Sequence, residues 1–339
     1  MHVRQVRPNS ITYTDAISAC EKSKRWQHAL ELVRVMHLSE LVPSVPTYNA
    51  VLSAFEKGQQ WESAMLLLNL VHRTALRPDV ITYSAVISAC EKSLQWQRAL
   101  DLLFAMDARR ITSDIIAYNA TMSACEKGYQ WQRALSLLRR TYAKGLVPDK
   151  ITYNAAISAC EKGVQWEHAL VLLKDMLCDG LRPDVITYNA TISACEKGHQ
   201  WRRIMGLLAN MWIERIGFTV VTYSAAISAF EKGEQCERAL LLFVKMQRQR
   251  LVPNVVTYSA AISACEKAEC WERALELLGE LNCRADVVSY SAAVAACERG
   301  RHWQWALELS QRVHDAAVVP DIIMNSAILR ACASGQQWQ

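Results

Sequence analysis

Residues 150–184 read KITYNAAISACEKGVQWEHALVLLKDMLCDGLRPD. Tyr153, Ala156, Ile157 and Cys160 fall at i, i+3, i+4 and i+7, which is one apolar helical stripe. Gly163 stands just past that stripe and predicts the left-handed residue of a helix C-terminus. A second helical stripe follows in Trp166, Ala169, Leu170, Leu173 and Met176. Pro183 then stops the helix, and Asp184 can cap the next one. The segment predicts a hairpin of about 12 and 14 helical residues with short connections. Alanines at 155, 156 and 159 allow first helices to approach closely.

The same pattern fills the chain. Tyrosine recurs at Tyr13, Tyr48, Tyr83, Tyr118, Tyr153, Tyr188, Tyr223 and Tyr258, always 35 residues apart. Tyr290 follows after 32, so the linker around Asn282 to Ala285 has lost three residues, and Asn325 takes the tyrosine place 35 further on. The units span residues 10–44, 45–79, 80–114, 115–149, 150–184, 185–219, 220–254, 255–286 and 287–321. Residues 1–9 precede them, and residues 322–339 read as an incomplete tenth unit. One hairpin cannot bury both of its stripes, so neighbours must stack into a solenoid, and a two-domain globular reading is excluded.

Composition agrees. Of the 339 residues 51% are hydrophobic and 21% charged, a folding sequence and not a disordered one. The 38 basic and 33 acidic residues leave +5, which excludes a histone-like polycation but not a locally basic groove. No apolar run reaches the roughly 18 residues of a membrane span, and Met1–Ser10 lacks the apolar core of a secretory signal. Only 12 glycines and 8 prolines argue against an all-β fold built on tight turns. Cys20, Cys90, Cys125, Cys160, Cys195, Cys265, Cys297 and Cys332 follow the repeat, with Phe55 and Phe230 in the same place, so the position reads as buried and apolar. Repeats stacked about 10 Å apart exceed the roughly 7 Å Cα limit of a disulfide, which implies free thiols and a reducing compartment. Tryptophan recurs at Trp26, Trp61, Trp96, Trp131, Trp166, Trp201, Trp271, Trp303 and Trp338, with Cys236 as the exception, and reads as core.

Three polar rows need another reason. The residue after each tyrosine is Thr14, Asn49, Ser84, Asn119, Asn154, Asn189, Ser224, Ser259, Ser291 or Ser326. Such residues cost about 0.5 kcal/mol each inside a helix relative to alanine. A ladder of small hydrogen-bonding groups, one per repeat, suits a ligand that itself repeats, such as the bases of a single strand. The second row is Ser44, Asp79, Asp114, Asp149, Asp184, Thr219, Asn254, Asp286 and Asp321. All are good helix N-caps, so capping alone accounts for them unless they adjoin the first row. The third row continues the first helix through Ser158 to a cation: Lys22, Lys57, Lys92, Lys127, Lys162, Lys197, Lys232, Lys267 and Arg299. Phosphate contact and a favourable helix C-terminus are both open readings.

The unit V-[IV]-T-Y-[NS]-A-A-I-S-A-C-E-K-G, followed by Q-W-x-x-A-L-x-L-L and ending in Pro-Asp, closely resembles the pentatricopeptide repeat across residues 10–339. The near-identical units resemble P-class, algal organellar members. The resemblance implies an all-α fold, a right-handed superhelical α-solenoid of helix-turn-helix repeats. It implies single-stranded RNA as partner, read one base per repeat, 5′ to 3′ along the chain. Base choice would rest on the residue after the tyrosine and the last residue of the unit. The pairs Asn49 with Asp79, Asn119 with Asp149 and Asn154 with Asp184 resemble uracil readers. Ser84 with Asp114, Ser259 with Asp286 and Ser291 with Asp321 resemble guanine readers, and Ser224 with Asn254 an adenine reader. Asn189 with Thr219 suggests a pyrimidine, and Thr14 with Ser44 is ambiguous. The implied target is 5′-NUGUUYAGG-3′, with the shortened linker bearing on where Asp286 lies. Residues that sandwich the bases would be Ile11, Ile81, Ile116, Ile151, Ile186, Val221, Val256 and Val288, with Pro46 departing from the pattern. The lysine row would touch phosphate.

No CxxC, HExxH, Walker or GxSxG motif occurs, and Cys265 and Cys270 have no histidine at metal-ligand spacing. The expectation is therefore a non-enzymatic protein without cofactor or metal, with catalysis supplied by protein partners. The resemblance implies a chloroplast or mitochondrial role in RNA processing, stabilisation or translation, although no transit peptide is visible. The alternative is a protein-binding scaffold of the tetratricopeptide kind. That relative has 34-residue units with tryptophan in the first helix, against 35 and the second helix in this chain.

Overall fold

The computed structural model describes residues 9–74, 76–281, 285–315 and 320–334. Trp338, the linker positions 282–284 and the end of the tenth unit lie outside them. Among the described residues there are 19 α-helices and no strand. First helices of the repeats are α1 (Ser10–Lys22), α3 (Val45–Lys57), α5 (Val80–Lys92), α7 (Ile115–Lys127) and α9 (Lys150–Lys162), then α11 (Val185–Lys197), α13 (Val220–Lys232), α15 (Val255–Lys267), α17 (Val287–Arg299) and α19 (Ile322–Ser334). Second helices are α2 (Trp26–Leu38), α4 (Trp61–Arg73), α6 (Trp96–Ala108), α8 (Trp131–Ala143), α10 (Trp166–Cys178), α12 (Trp201–Ile213), α14 (Cys236–Arg248), α16 (Trp271–Leu281) and α18 (Trp303–Asp315).

The chain forms two compact units. One comprises Met1–Gly163 with Lys174–Leu181, the other Val164–Leu173 with Arg182–Gln339. In the first, α1, α3, α5, α7 and α9 stack in order, and each of α2, α4, α6 and α8 packs on the first helix of the next repeat. The second repeats the arrangement from α11 to α19, with α12, α14, α16 and α18 behind. Each unit is thus an α-solenoid in which every hairpin covers its neighbour's stripe. Tyr83, Tyr118, Tyr153 and Tyr188 are wholly buried, as are Ala156, Ala159 and Ile157. Tyrosine hydroxyls also tie the two helices of a hairpin: Tyr153 Oη lies 2.7 Å from Asp179 Oδ2, and Tyr223 Oη donates to Gln249 at 3.0 Å.

The cysteine row is buried at Cys90, Cys125, Cys160, Cys195, Cys265 and Cys297, and only half-buried at Cys20 and Cys332 in the outermost helices. Burial pushes the Cys125, Cys160, Cys195 and Cys265 thiols up to about 12. Eleven described cysteines, including the exposed Cys178 and Cys270, are free thiols.

Two local expectations need correction. Gly163 is not the left-handed residue: its φ is −84°, and the left-handed residue is the next one, Val164, at 57°. The same shift holds at Leu94, Tyr129, His199 and Glu234, all non-glycine at φ between 56° and 60°. Left-handed glycines stand instead after second helices, at Gly145 and Gly180. Gly163 is required for close approach. A Cβ there would lie 2.4 Å from Trp131 Cδ1 of the preceding repeat, and Gly58, Gly128, Gly198, Gly233 and Gly300 face Trp26, Trp96, Trp166, Trp201 and Trp271 alike. The tryptophans are consequently half-buried lids on the next repeat's helix end and not core residues.

Candidate functional site

The first helix begins directly after the cap residue, which fixes where the first two polar rows meet. Asp79, Asp114, Asp149, Asp184, Thr219, Asn254 and Asp286 each accept the N–H of the third helical residue, and Asp321 does so from Met324. The capping reading is therefore realised. The same side chains also reach back 30 residues to the preceding repeat. Asn49 Nδ2 donates to Asp79 Oδ1 at 3.2 Å, Asn119 Nδ2 to Asp149 Oδ1 at 3.1 Å, and Asn189 Nδ2 to Thr219 Oγ1 at 3.2 Å. Ser291 donates to Asp321 at 3.2 Å and Ser84 to Asp114 at 3.5 Å. Ser259 donates to Asp286 at 3.3 Å, so the shortened linker leaves Asp286 placed as in the other repeats. Ser224 and Thr14 instead join Thr257 and Thr47 at 2.5 and 2.8 Å, and these threonines contact Asn254 and Ser44. Burial raises the Asp79 carboxyl, but hydrogen bonds from Thr82 and Asn49 outweigh it and leave the group below the usual range.

A member of this network went unread in the sequence. Thr82 Oγ1 donates to Asn49 Oδ1 at 2.7 Å, Thr152 Oγ1 to Asn119 Oδ1 at 2.6 Å and Thr222 Oγ1 to Asn189 Oδ1 at 2.6 Å. The recurring Thr-Tyr pair was the visible signal, with Ala117, Ser289 and Met324 as departures.

The β-branched row lies one residue further toward the helix N-terminus. Ile11, Ile81, Ile116, Ile151, Ile186, Val221, Val256 and Val288 are 54–69% exposed, one per first helix. Pro46 is exposed at the same place in α3. An apolar side chain held in water beside each hydrogen-bonding group has no folding reason.

The cation row is engaged by the fold. Lys57, Lys92, Lys127, Lys162, Lys232 and Lys267 pair with Glu21, Glu56, Glu91, Glu126, Glu196 and Glu231 of the preceding repeat, and Arg299 pairs with Glu266, at 2.5–3.1 Å. Ser123, Ser228 and Ser263 donate to the same glutamates Glu91, Glu196 and Glu231. Such half-exposed pairs contribute little to stability, and their glutamates neutralise the row. Lys22 sits in the first repeat, where no earlier repeat supplies a glutamate. Among the described residues no cluster of three metal-ligating side chains occurs.

A first-helix layer that repeats one polar step per hairpin defines a class of solenoid, and sequence comparison names it. The PPR repeat family matches residues 43–92, 148–197 and 219–267, with further pentatricopeptide repeat matches at 1–58, 101–163, 81–111 and 256–284. The chain belongs to the pentatricopeptide repeat family. It is similar in fold to the crystal structure of PPR10 from maize, with TM-score 0.66 and 20% identity over 98% of this chain and 47% of that one. A structure of PPR10 in complex with an 18-nt psaJ RNA element gives TM-score 0.50 and 18% identity over 99% and 57%. The chain thus spans about half the length of PPR10. A search of curated proteins finds no match.

Proposed function

We propose that this protein binds single-stranded RNA sequence-specifically, one base per repeat, in an organellar transcript. The observation that carries the reading is the coincidence, in repeat after repeat, of an Asn or Ser bonded to the next repeat's cap with an exposed Ile or Val beside it. The first supplies polar edges at the repeat spacing. The second supplies apolar faces against which bases stack, a form of contact that tolerates any base. Lysines at the far end of each first helix would exchange glutamate for phosphate. PPR10, which shares the fold, has been solved with an RNA element bound. The pairs predict 5′-NUGUUYAGG-3′. Binding would protect or mark the transcript by occupying it, with any chemistry supplied by partner proteins. Selection from randomised single-stranded RNA tests this: enriched sequences should contain that motif. Enrichment without a shared motif, or of duplexes, refutes it.

A further inference from the structure

We propose that the third residue of each first helix is a positioning residue for the base contact of the preceding repeat, setting uracil against cytosine by fixing which end of the asparagine amide faces the groove. The inference rests on the one-base-per-repeat reading and concerns what that reading leaves open.

The geometry is clearest around Asn119. Its amide lies between two groups of the next repeat. One is the Asp149 carboxylate, whose Oδ1 already accepts the Thr152 N–H at 2.8 Å. The other is the Thr152 hydroxyl, wholly buried and 2.6 Å from Asn119 Oδ1. A carboxylate only accepts. With Nδ2 toward Asp149 and Oδ1 toward Thr152, both contacts join a donor to an acceptor. Reversed, Oδ1 would face the carboxylate with no proton between them. The hydroxyl occupies Oδ1, so the hydrogen left for a ligand is the second one on Nδ2. Uracil presents an acceptor, O4, where cytosine presents an amino donor, as thymine and cytosine do in DNA. A donor held toward the base favours uracil.

The set Asn49, Asp79 and Thr82 repeats this arrangement, at 3.2 Å and 2.7 Å. Around Asn189 it changes in one respect. Both neighbours are hydroxyls, Thr219 at 3.2 Å and Thr222 at 2.6 Å. Hydroxyls donate and accept, so the reversed amide is satisfied equally well and can turn its oxygen to the groove. That is the repeat whose pair suggests a pyrimidine other than uracil. Serine readers carry both functions on one rotating hydroxyl and need no such control. Accordingly the position after Ser84 is Ala117, and after Ser291 it is Met324, whereas all four asparagines, including Asn154, are followed by threonine.

The test uses the full chain with Thr152→Val, which removes the hydroxyl at nearly constant shape, and Thr152→Ser, which restores it. Binding is measured to two RNAs that differ only in U or C at the fourth base, with Asn119→Ser as a control on a third RNA carrying G. The U-to-C affinity ratio should fall about fivefold in Thr152→Val, the worth of one hydrogen bond, and recover in Thr152→Ser. A purely structural role would weaken both RNAs alike and leave the ratio unchanged. An unchanged ratio, with Asn119→Ser still altering the fourth-base preference, overturns the inference alone. If Asn119→Ser also changes nothing, the base-per-repeat reading falls and takes this inference with it.

Discussion

Replacing Gly128 by alanine puts a methyl group where Trp96 already sits. The added Cβ would lie 2.3 Å from Trp96 Cδ1 and 2.7 Å from Cγ, so the ring must retreat by about 1 Å to reach ordinary contact. Overpacking of this kind costs about 1–3 kcal/mol. Stiffening the unfolded chain returns about 0.4–1 kcal/mol, because Gly128 has φ −86°, which alanine adopts freely. The net expectation is a loss of about 1 kcal/mol. Ser93, which carries a Cβ at the equivalent place after Trp61, indicates that the ring can yield. Trp96→Cys alone should cost about 2 kcal/mol from some 100 Å² of ring returned to water, together with the Arg133 guanidinium 5.1 Å above that ring. The chain already contains the double replacement: Cys236 stands in the tryptophan row, and Ala268 stands in the glycine row one repeat later. The double variant Trp96→Cys with Gly128→Ala should therefore be more stable than the sum of the singles, by about 1 kcal/mol. Urea unfolding followed by circular dichroism reads this from the midpoints at constant slope. Additivity within about 0.3–0.5 kcal/mol would show that the glycine row does not exist to admit the tryptophan.

Other outcomes follow from the same geometry. Iodoacetamide on the native protein should modify the exposed Cys178 and Cys270 and spare Cys125, Cys160, Cys195 and Cys265 until urea is added, as peptide mass spectrometry would show. Labelling of all sites at one rate would contradict the stacked core. Leu94 is 60% exposed at φ 60°, so Leu94→Gly should raise the melting midpoint, with relief of about 1 kcal/mol offset in part by glycine's entropy. Replacing Lys92, Lys127 and Lys162 by glutamine should reduce the slope of log K against log salt by about 2 without altering base preference, at about 0.7 per phosphate contact. An unchanged slope would confine those lysines to their glutamate pairs.

The hairpins were legible because their cause lies within 35 residues: two stripes at helical spacing, and a Pro-Asp to stop one helix and cap the next. What escaped depends on contacts between repeats. Gly163 looked like a local cap because glycine favours left-handed backbone, whereas its cause is Trp131, 32 residues earlier. Only the joint exception, Cys236 with Ala268, carried that information in the sequence. Lys127 offered two readings within its own helix, and its partner is Glu91, 36 residues back. The capping and base-reading accounts of Asp149 were alternatives on paper. In the fold one carboxylate oxygen serves both, accepting from Thr152 N–H and from Asn119. The ladder of asparagine and serine thus has a structural use in joining repeats, and its alternation between residue types is what folding leaves unexplained.

That alternation is tested most directly at the fourth repeat. Asn119→Ser recreates the Ser84 and Asp114 pair of the third repeat, which the fold already accommodates. Affinity is measured for wild type and variant on two single-stranded RNAs that carry 5′-NUGUUYAGG-3′ and differ only in U or G at the fourth base. The wild type should prefer U, and the variant should prefer G, with a swing of about 1–3 kcal/mol, the usual cost of one mismatched position. Identical ranking of the two RNAs by both proteins would contradict the claim that each repeat reads one base.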